Sequence, residues 1–267
     1  MTWLHLILLA LIQGITEFLP VSSSGHLILL PKLLGAQDQG PILDVAVHIG
    51  TLSAVMLYYR RDVWQLIIGS LDVLRGRTNT DAAHLFLLLA ISTIPVIIAG
   101  LLIKTLGIMD DLRRIDIIGA TMIGFGIVLY LADRFGKHTR EASEWTLKHA
   151  IIMGLWQVLA LIPGTSRSGA TISGARALGY SRIQSAKLAM LMSIPTIMAS
   201  GLLLGADVVI ADDRELLQEA AIAALMSAIA ALIALSLMIR LLRHISFTPY
   251  VIYRIILGIV LLVIAYG

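Results

Sequence analysis

The chain has 267 residues, of which 58% are hydrophobic and 14% charged, with a formal net charge of +3 and no cysteine. A soluble globular chain carries roughly a quarter charged residues, so this composition reads as a polytopic membrane protein, not a soluble domain. The absence of cysteine excludes a disulfide framework and thiolate chemistry, and the slight positive charge serves to orient spans in a bilayer, with no nucleic-acid partner expected.

The apolar run Trp3–Ile12 has no basic residue before it and no small-residue cleavage site after it, so it is expected to stay in the mature protein. It is too short to cross a bilayer, which takes about 20 residues, and Glu17 and Pro20 block its extension. A second short piece, Leu27–Leu34, is closed by Pro31 and Gly35. The two predict a helix–loop–helix that enters the membrane and turns back, an arrangement tolerated only where protein or a water-filled cavity surrounds the broken backbone. Val45–Tyr59 is the first expected span, ended by Arg60, Arg61 and Asp62, and the amphipathic Val63–Leu74 should lie along the surface. Ala82–Ile103, containing Pro95 and Gly100, and Ile117–Ala132 are the next spans. Gly119, Gly124 and Gly126 in the latter would admit a close helix neighbour. Asp133–Lys148 is polar and predicts a linker between halves.

The pattern then repeats. Ala150–Ile162 is again too short to span and runs into Pro163, Gly164 and a cluster of hydroxyls; Leu188–Ala206, Ala220–Ile239 and Tyr250–Tyr266 are spans. Each half is one broken hairpin plus three spans, so the expected fold is an all-α integral membrane protein, a single domain over 1–267, built as an inverted-topology repeat of about 1–133 and 149–267. Interrupted helices at matching positions point to a binding site near the midplane. With six crossings, fourteen of the twenty Lys and Arg fall on one side. Lys32, Lys104, Arg113, Arg114 and Arg214 fall on the other, and Arg167 is assigned to the interior. The richer side should be cytoplasmic, leaving both termini and the mouth of the first hairpin outside.

Two stretches carry the chemistry: Gln13 to His26 and Gln157 to Thr171. Gln13 and Glu17 share a helix face. A carboxylate at membrane depth is costly and marks function. Ser22, Ser23, Ser24 and Gly25 predict a turn whose hydroxyls and amides, at a helix N-terminus, attract anions. His26 is the residue type suited to proton transfer near neutral pH. In the second stretch Arg167 can clamp a phosphate bidentately, with Gly164, Thr165, Ser166, Ser168, Gly169 and Thr171 around it. The two stretches are expected to meet as one diphosphate site. Asp44 and His48, one turn apart at a span entrance, could assist the site, but an interfacial cap explains them better. His84 and Lys187 read as ordinary span ends. No cluster has the spacing of a closed metal site, although a divalent cation shared between Glu17 and substrate phosphates is compatible with the pattern.

These stretches, with Ile245–Arg254 near the end, resemble the undecaprenyl-diphosphate phosphatase family associated with bacitracin resistance, over the whole length of the chain. The family has Glu or Gln at the position of Gln13, and members with Glu there carry a carboxylate pair that this chain lacks. The resemblance implies a multi-pass enzyme of the bacterial inner membrane. It would hydrolyse the C55 polyprenyl diphosphate to the monophosphate, recycling the lipid carrier of wall synthesis, with a divalent cation (Mg²⁺ or Ca²⁺) and a site open to the periplasm. The vanadium-type lipid phosphatases share Ser24-Gly25-His26 and Ser166-Arg167 locally, but their second histidine falls at Ser173 and their Lys-x6-Arg-Pro motif is missing. Catalytic roles are expected for Glu17, Ser23, His26 and Arg167. Either Ser23 attacks phosphorus with His26 as base, or His26 activates water or attacks directly, while Glu17 orients His26 or binds the cation. The alternative is a carrier that moves a polyprenyl phosphate through the same site. The expected partners are the lipid substrate and membrane lipid, and a homodimer is compatible with the sequence.

Overall fold

The computed structural model describes residues 2–35, 39–137, 139–208 and 214–267. The first half holds α1 (Trp3–Thr16), α2 (Ser23–Leu34), α3 (Gly40–Tyr58), α4 (Arg60–Leu74), α5 (Asp81–Leu106), a single turn α6 (Met109–Leu112) and α7 (Ile115–Phe135). After a 3₁₀ turn at Ala142–Glu144 come α8 (Leu147–Leu159), α9 (Arg167–Ala177), α10 (Arg182–Val208), α11 (Arg214–Leu241) and α12 (Thr248–Tyr266). Among the described residues six helices are long and apolar enough to cross a membrane, α3, α5, α7, α10, α11 and α12. The chain is thus an all-α, multi-pass membrane protein.

Several boundaries differ from the sequence reading. The first helix runs to Thr16, with Glu17 at its C-cap. α2 starts at Ser23 and takes Pro31 inside it, so the helix is closed by Gly35 alone, at φ +59°. α10 begins at Arg182, ahead of the apolar run that marks it. Hydrophobicity locates the part of a helix that meets lipid, and polar turns at its ends escape that signal.

The short helices are held against spans by backbone contact. A Cβ on Gly14 of α1 would sit 2.6 Å from the Ser227 carbonyl oxygen of α11, and one on Gly154 of α8 would sit 2.5 Å from that of Ser92 in α5. Small residues let helix backbones approach this closely, which is how helices associate where lipid removes the hydrophobic driving force. Gly119 does the same for α7 against Gly258 of α12, whereas Gly124 has nothing within 4 Å.

The polar segment from Asp133 to Lys148 is no free linker. Asp133 is buried and accepts from Nε of Arg176 and of Arg182, both at 2.9 Å, and from the Phe247 amide at 3.3 Å. Trp145 is buried as well, and Arg140 exchanges backbone bonds with Gly179 and Ser181. His138 lies outside the described residues. Arg176 and Arg254, both counted with the solvated basic residues of one side, are fully buried; the same side still holds most of the basic residues without them. The side chain of Lys32, counted on the other side, lies outside the described residues. Lys187 pairs with Asp62 of α4 at 2.6 Å.

Candidate active site

The two hairpin loops share one local construction. Ser22 and Ser166 are the non-glycine residues at positive φ among the described residues, both at 71°. Holding a residue with a Cβ in this region costs about 1–2 kcal/mol, and each serine returns part of that cost by capping the helix it precedes. Ser22 Oγ accepts from the Gly25 amide at 3.4 Å and Ser166 Oγ from the Gly169 amide at 3.1 Å. The hydroxyls of Ser22 and Ser24 lie 3.2 Å apart, and those of Ser166 and Ser168 lie 3.1 Å apart. The N-termini of α2 and α9 therefore open onto the same region, each with the positive end of its dipole forward. Ser168 Oγ donates to the Leu19 carbonyl at 3.0 Å, tying one loop to the other.

At this junction Glu17 and Arg167 meet. Glu17 Oε1 accepts from Arg167 Nη2 at 2.6 Å, with the side chains 7% and 16% exposed. Glu17 Oε2 accepts from Gln13 Nε2 at 2.9 Å and from Ser23 Oγ at 2.7 Å. Arg167 Nη1 also donates to the Ser193 carbonyl at 3.2 Å. A cavity of about 580 Å³ opens on this pair. Its polar lining includes Glu17, Ser23, Ser24, Ser166 and Arg167, and its apolar walls include Ile49, Leu52, Val96, Met198 and Leu202.

The remaining predicted residues stand behind that lining. Gln13 is fully buried and orients Glu17. Thr171 bonds to the carbonyls of Arg167 and Ser168 in its own helix. Gly164 and Thr165 shape the second loop, with Gly164 at φ +88°, and Gly169 in the first turn of α9 donates its amide to the Ser166 cap. His26 is not brought to Glu17. Its Nδ1 lies 2.7 Å from the Ser22 carbonyl, which must accept, so the neutral ring carries its proton on Nδ1. Its Nε2 then accepts from Tyr253 Oη at 2.5 Å.

Three residues of this region are under-read in the sequence. Asp44 and His48 line the cavity instead of capping a span, and His48 Nε2 lies 3.8 Å from Glu17 Oε2. Their spacing of four on α3, set beside Glu17 as another polar residue at membrane depth, was the available signal. Arg254 is the third. It donates to the carbonyls of Met122 (3.2 Å), Pro20 (3.3 Å), Gly164 (3.0 Å) and Thr165 (2.8 Å), so one buried guanidinium fastens both hairpin loops to α7. Its place inside an apolar helix, with basic loops nearby, hid it.

Both Glu17 oxygens are taken by N–H and O–H donors, and among the described residues no three His, Cys, Asp or Glu side chains gather as metal ligands. These residues do not fit a cation held by the protein alone.

Six helices long and apolar enough to cross a membrane, three of them (α3, α5 and α10) lining a largely apolar cavity where two hairpin loops meet, define a multi-pass membrane protein with a candidate site at that junction. Residues 6–260 match the family described as bacitracin resistance protein BacA, and the chain belongs to that family. It is 61% identical to an undecaprenyl-diphosphatase of Dinoroseobacter shibae and 59% identical to one of Ruegeria pomeroyi, over 100% of each chain. It is 46% identical to one of Hahella chejuensis, over 100% of this chain and 99% of that one.

Proposed function

We propose that this chain hydrolyses undecaprenyl diphosphate to undecaprenyl phosphate and inorganic phosphate. The observation that carries the chemistry is the hydrogen bond from Ser23 Oγ to Glu17 Oε2, beside the Arg167 guanidinium and inside the cavity. A nucleophile held on a base that a third group orients is the signature of covalent catalysis. In the resting site Arg167 satisfies Glu17. A diphosphate entering the cavity offers Arg167 several anionic oxygens in the fork geometry a guanidinium prefers. As Arg167 turns to phosphate, Glu17 loses its counter-ion and becomes the stronger base. The Ser23 proton passes to Glu17, Oγ attacks the terminal phosphorus, and the bond from that phosphorus to the bridging oxygen breaks with its electron pair leaving on the prenyl phosphate. Water then cleaves the phosphoserine and Ser23 regains its proton. Charge on the transferring phosphoryl group is stabilised by Arg167 and the convergent ends of α2 and α9, the main task of such a site.

His26 serves this site through backbone: it holds the Ser22 carbonyl, and with it the strained turn that aims Ser23. The apolar walls supply a path for the prenyl chain. A divalent cation, Mg²⁺ or Ca²⁺, would enter with the substrate and offset diphosphate charge, with no carboxylate pair among the described residues of this chain to hold it. The matched serine caps support reading the halves as an inverted repeat. The cavity is lined by the N-terminal half of α3 and by residues 196–202 of α10. Both lie toward the side poorer in basic residues, which supports a site open to the periplasm of the inner membrane. Phosphate release from undecaprenyl diphosphate by purified Ser23→Ala protein tests the assignment: release should be lost, and turnover near that of the parent would overturn it.

A further inference from the structure

We propose that His48 is the second proton station of this site, a catalytic residue on α3 that receives the serine proton from Glu17. The proposal rests on the Ser23–Glu17 reading above. Its first support is that one carboxylate oxygen serves both neighbours. Glu17 Oε2 accepts from Ser23 Oγ at 2.7 Å and lies 3.8 Å from His48 Nε2. Its second support is the tautomer. His48 Nδ1 lies 2.7 Å from the Asp44 carbonyl oxygen, which must accept, so the neutral ring carries its lone pair on Nε2, the nitrogen that faces Glu17. His26 has its Nε2 on Tyr253 and lies outside the cavity lining, whereas His48 lines it.

The chemistry favours such a group. A carboxylate that has taken the serine proton stands among donors that favour its charged form, and an imidazole ordinarily holds a proton about two pK units more firmly than a glutamate carboxyl. Among the described residues the titratable groups lining the cavity are Glu17, Asp44, His48 and Arg167, while α5, α8 and α10 present only uncharged side chains to it. His48 is the one member of that set whose neutral form is an ordinary base. In the first half-reaction the Ser23 O–H bond breaks, the proton moves through Glu17 to His48 Nε2, the Oγ–P bond forms, and the P–O bond to the prenyl phosphate breaks with its electron pair on that oxygen. In the second, water adds to phosphorus, the P–Oγ bond breaks, and the proton returns from His48 through Glu17 to Ser23. The proton lost by water leaves with inorganic phosphate. A shift of the imidazole by about 1 Å brings Nε2 within hydrogen-bond reach of Oε2.

The test compares His48→Gln and His48→Asn with Ser23→Ala, in purified protein turning over undecaprenyl diphosphate from acid to neutral pH. Either amide keeps a donor in the site and neither can carry the proton. The expected result for both variants is a kcat lower by about 10²-fold, with KM nearly unchanged and unaltered melting in detergent. The acid side of the kcat–pH profile should differ between the parent and both variants. Parental kcat and pH profile in His48→Gln and His48→Asn, with Ser23→Ala inactive, would overturn the relay and leave the nucleophile standing. An active Ser23→Ala would instead overturn the reading on which the relay rests.

Discussion

Replacing Arg167 by Gln removes the one guanidinium that lines the cavity among the described residues and leaves the Glu17 carboxylate, 7% exposed, without its arginine partner. At the observed 2.6 Å the attraction is about 6 kcal/mol for an effective dielectric constant of about 20. Desolvation cancels much of that, but breaking one side of a buried pair typically costs about 3–5 kcal/mol, because the other charge stays buried. Arg167→Gln and Glu17→Gln should therefore each destabilise the protein by about 3 kcal/mol, and the double variant by much less than the sum, for a coupling of about 2 kcal/mol. The assay is equilibrium unfolding in mixed micelles with increasing SDS, read by far-UV circular dichroism, for the four members of the cycle. Each single variant should also lose at least about 10³-fold in kcat. Additivity within about 0.5 kcal/mol would refute the pair as an energetic unit, and with it the idea that a diphosphate frees Glu17 by drawing Arg167 away.

Further expectations follow from the same geometry. Gly154→Val should cost about 3 kcal/mol or prevent folding, because its Cβ would lie 2.5 Å from the Ser92 carbonyl oxygen; unchanged melting in detergent would contradict the packing of α8 on α5. Arg254→Lys keeps the charge but cannot reach four carbonyls at once, so kcat should fall about tenfold or more as the hairpin loops lose register, measurable by phosphate release. Outside the spans, His149 is held below the ordinary histidine range by burial and by the nearby charges of Arg140 and Lys148. A depressed pKa means the folded state binds fewer protons than the unfolded state. That stability is present above the ordinary histidine range and is lost as pH falls through it. Melting temperature in detergent should thus rise from acid to neutral pH, and His149→Gln should reduce that rise.

Much of the site was legible because polar residues in an apolar chain are few. Glu17, Ser23 and Arg167 announce themselves against lipid-compatible surroundings, and their convergence follows from two hairpins too short to cross. The division of labour among them was not legible. Both His26 and His48 sit one turn from other polar groups, and only the placement of α12 decides that Tyr253 takes the former's Nε2. Asp133 looks like linker in a sequence and proves to be the buried partner of Arg176 and Arg182, because partners distant in sequence leave no local pattern. Arg254 reads as a basic residue near a loop, and its role appears only once Pro20, Gly164 and Thr165 are brought around it.

The most direct measurement is phosphate release from undecaprenyl diphosphate by the purified protein in detergent, with and without Mg²⁺ or Ca²⁺, beside Ser23→Ala. Release by the parent and its loss in a folded Ser23→Ala protein is the predicted result. No release from well-folded parent protein would contradict the account and leave passage of the lipid phosphate across the membrane as the activity to assay.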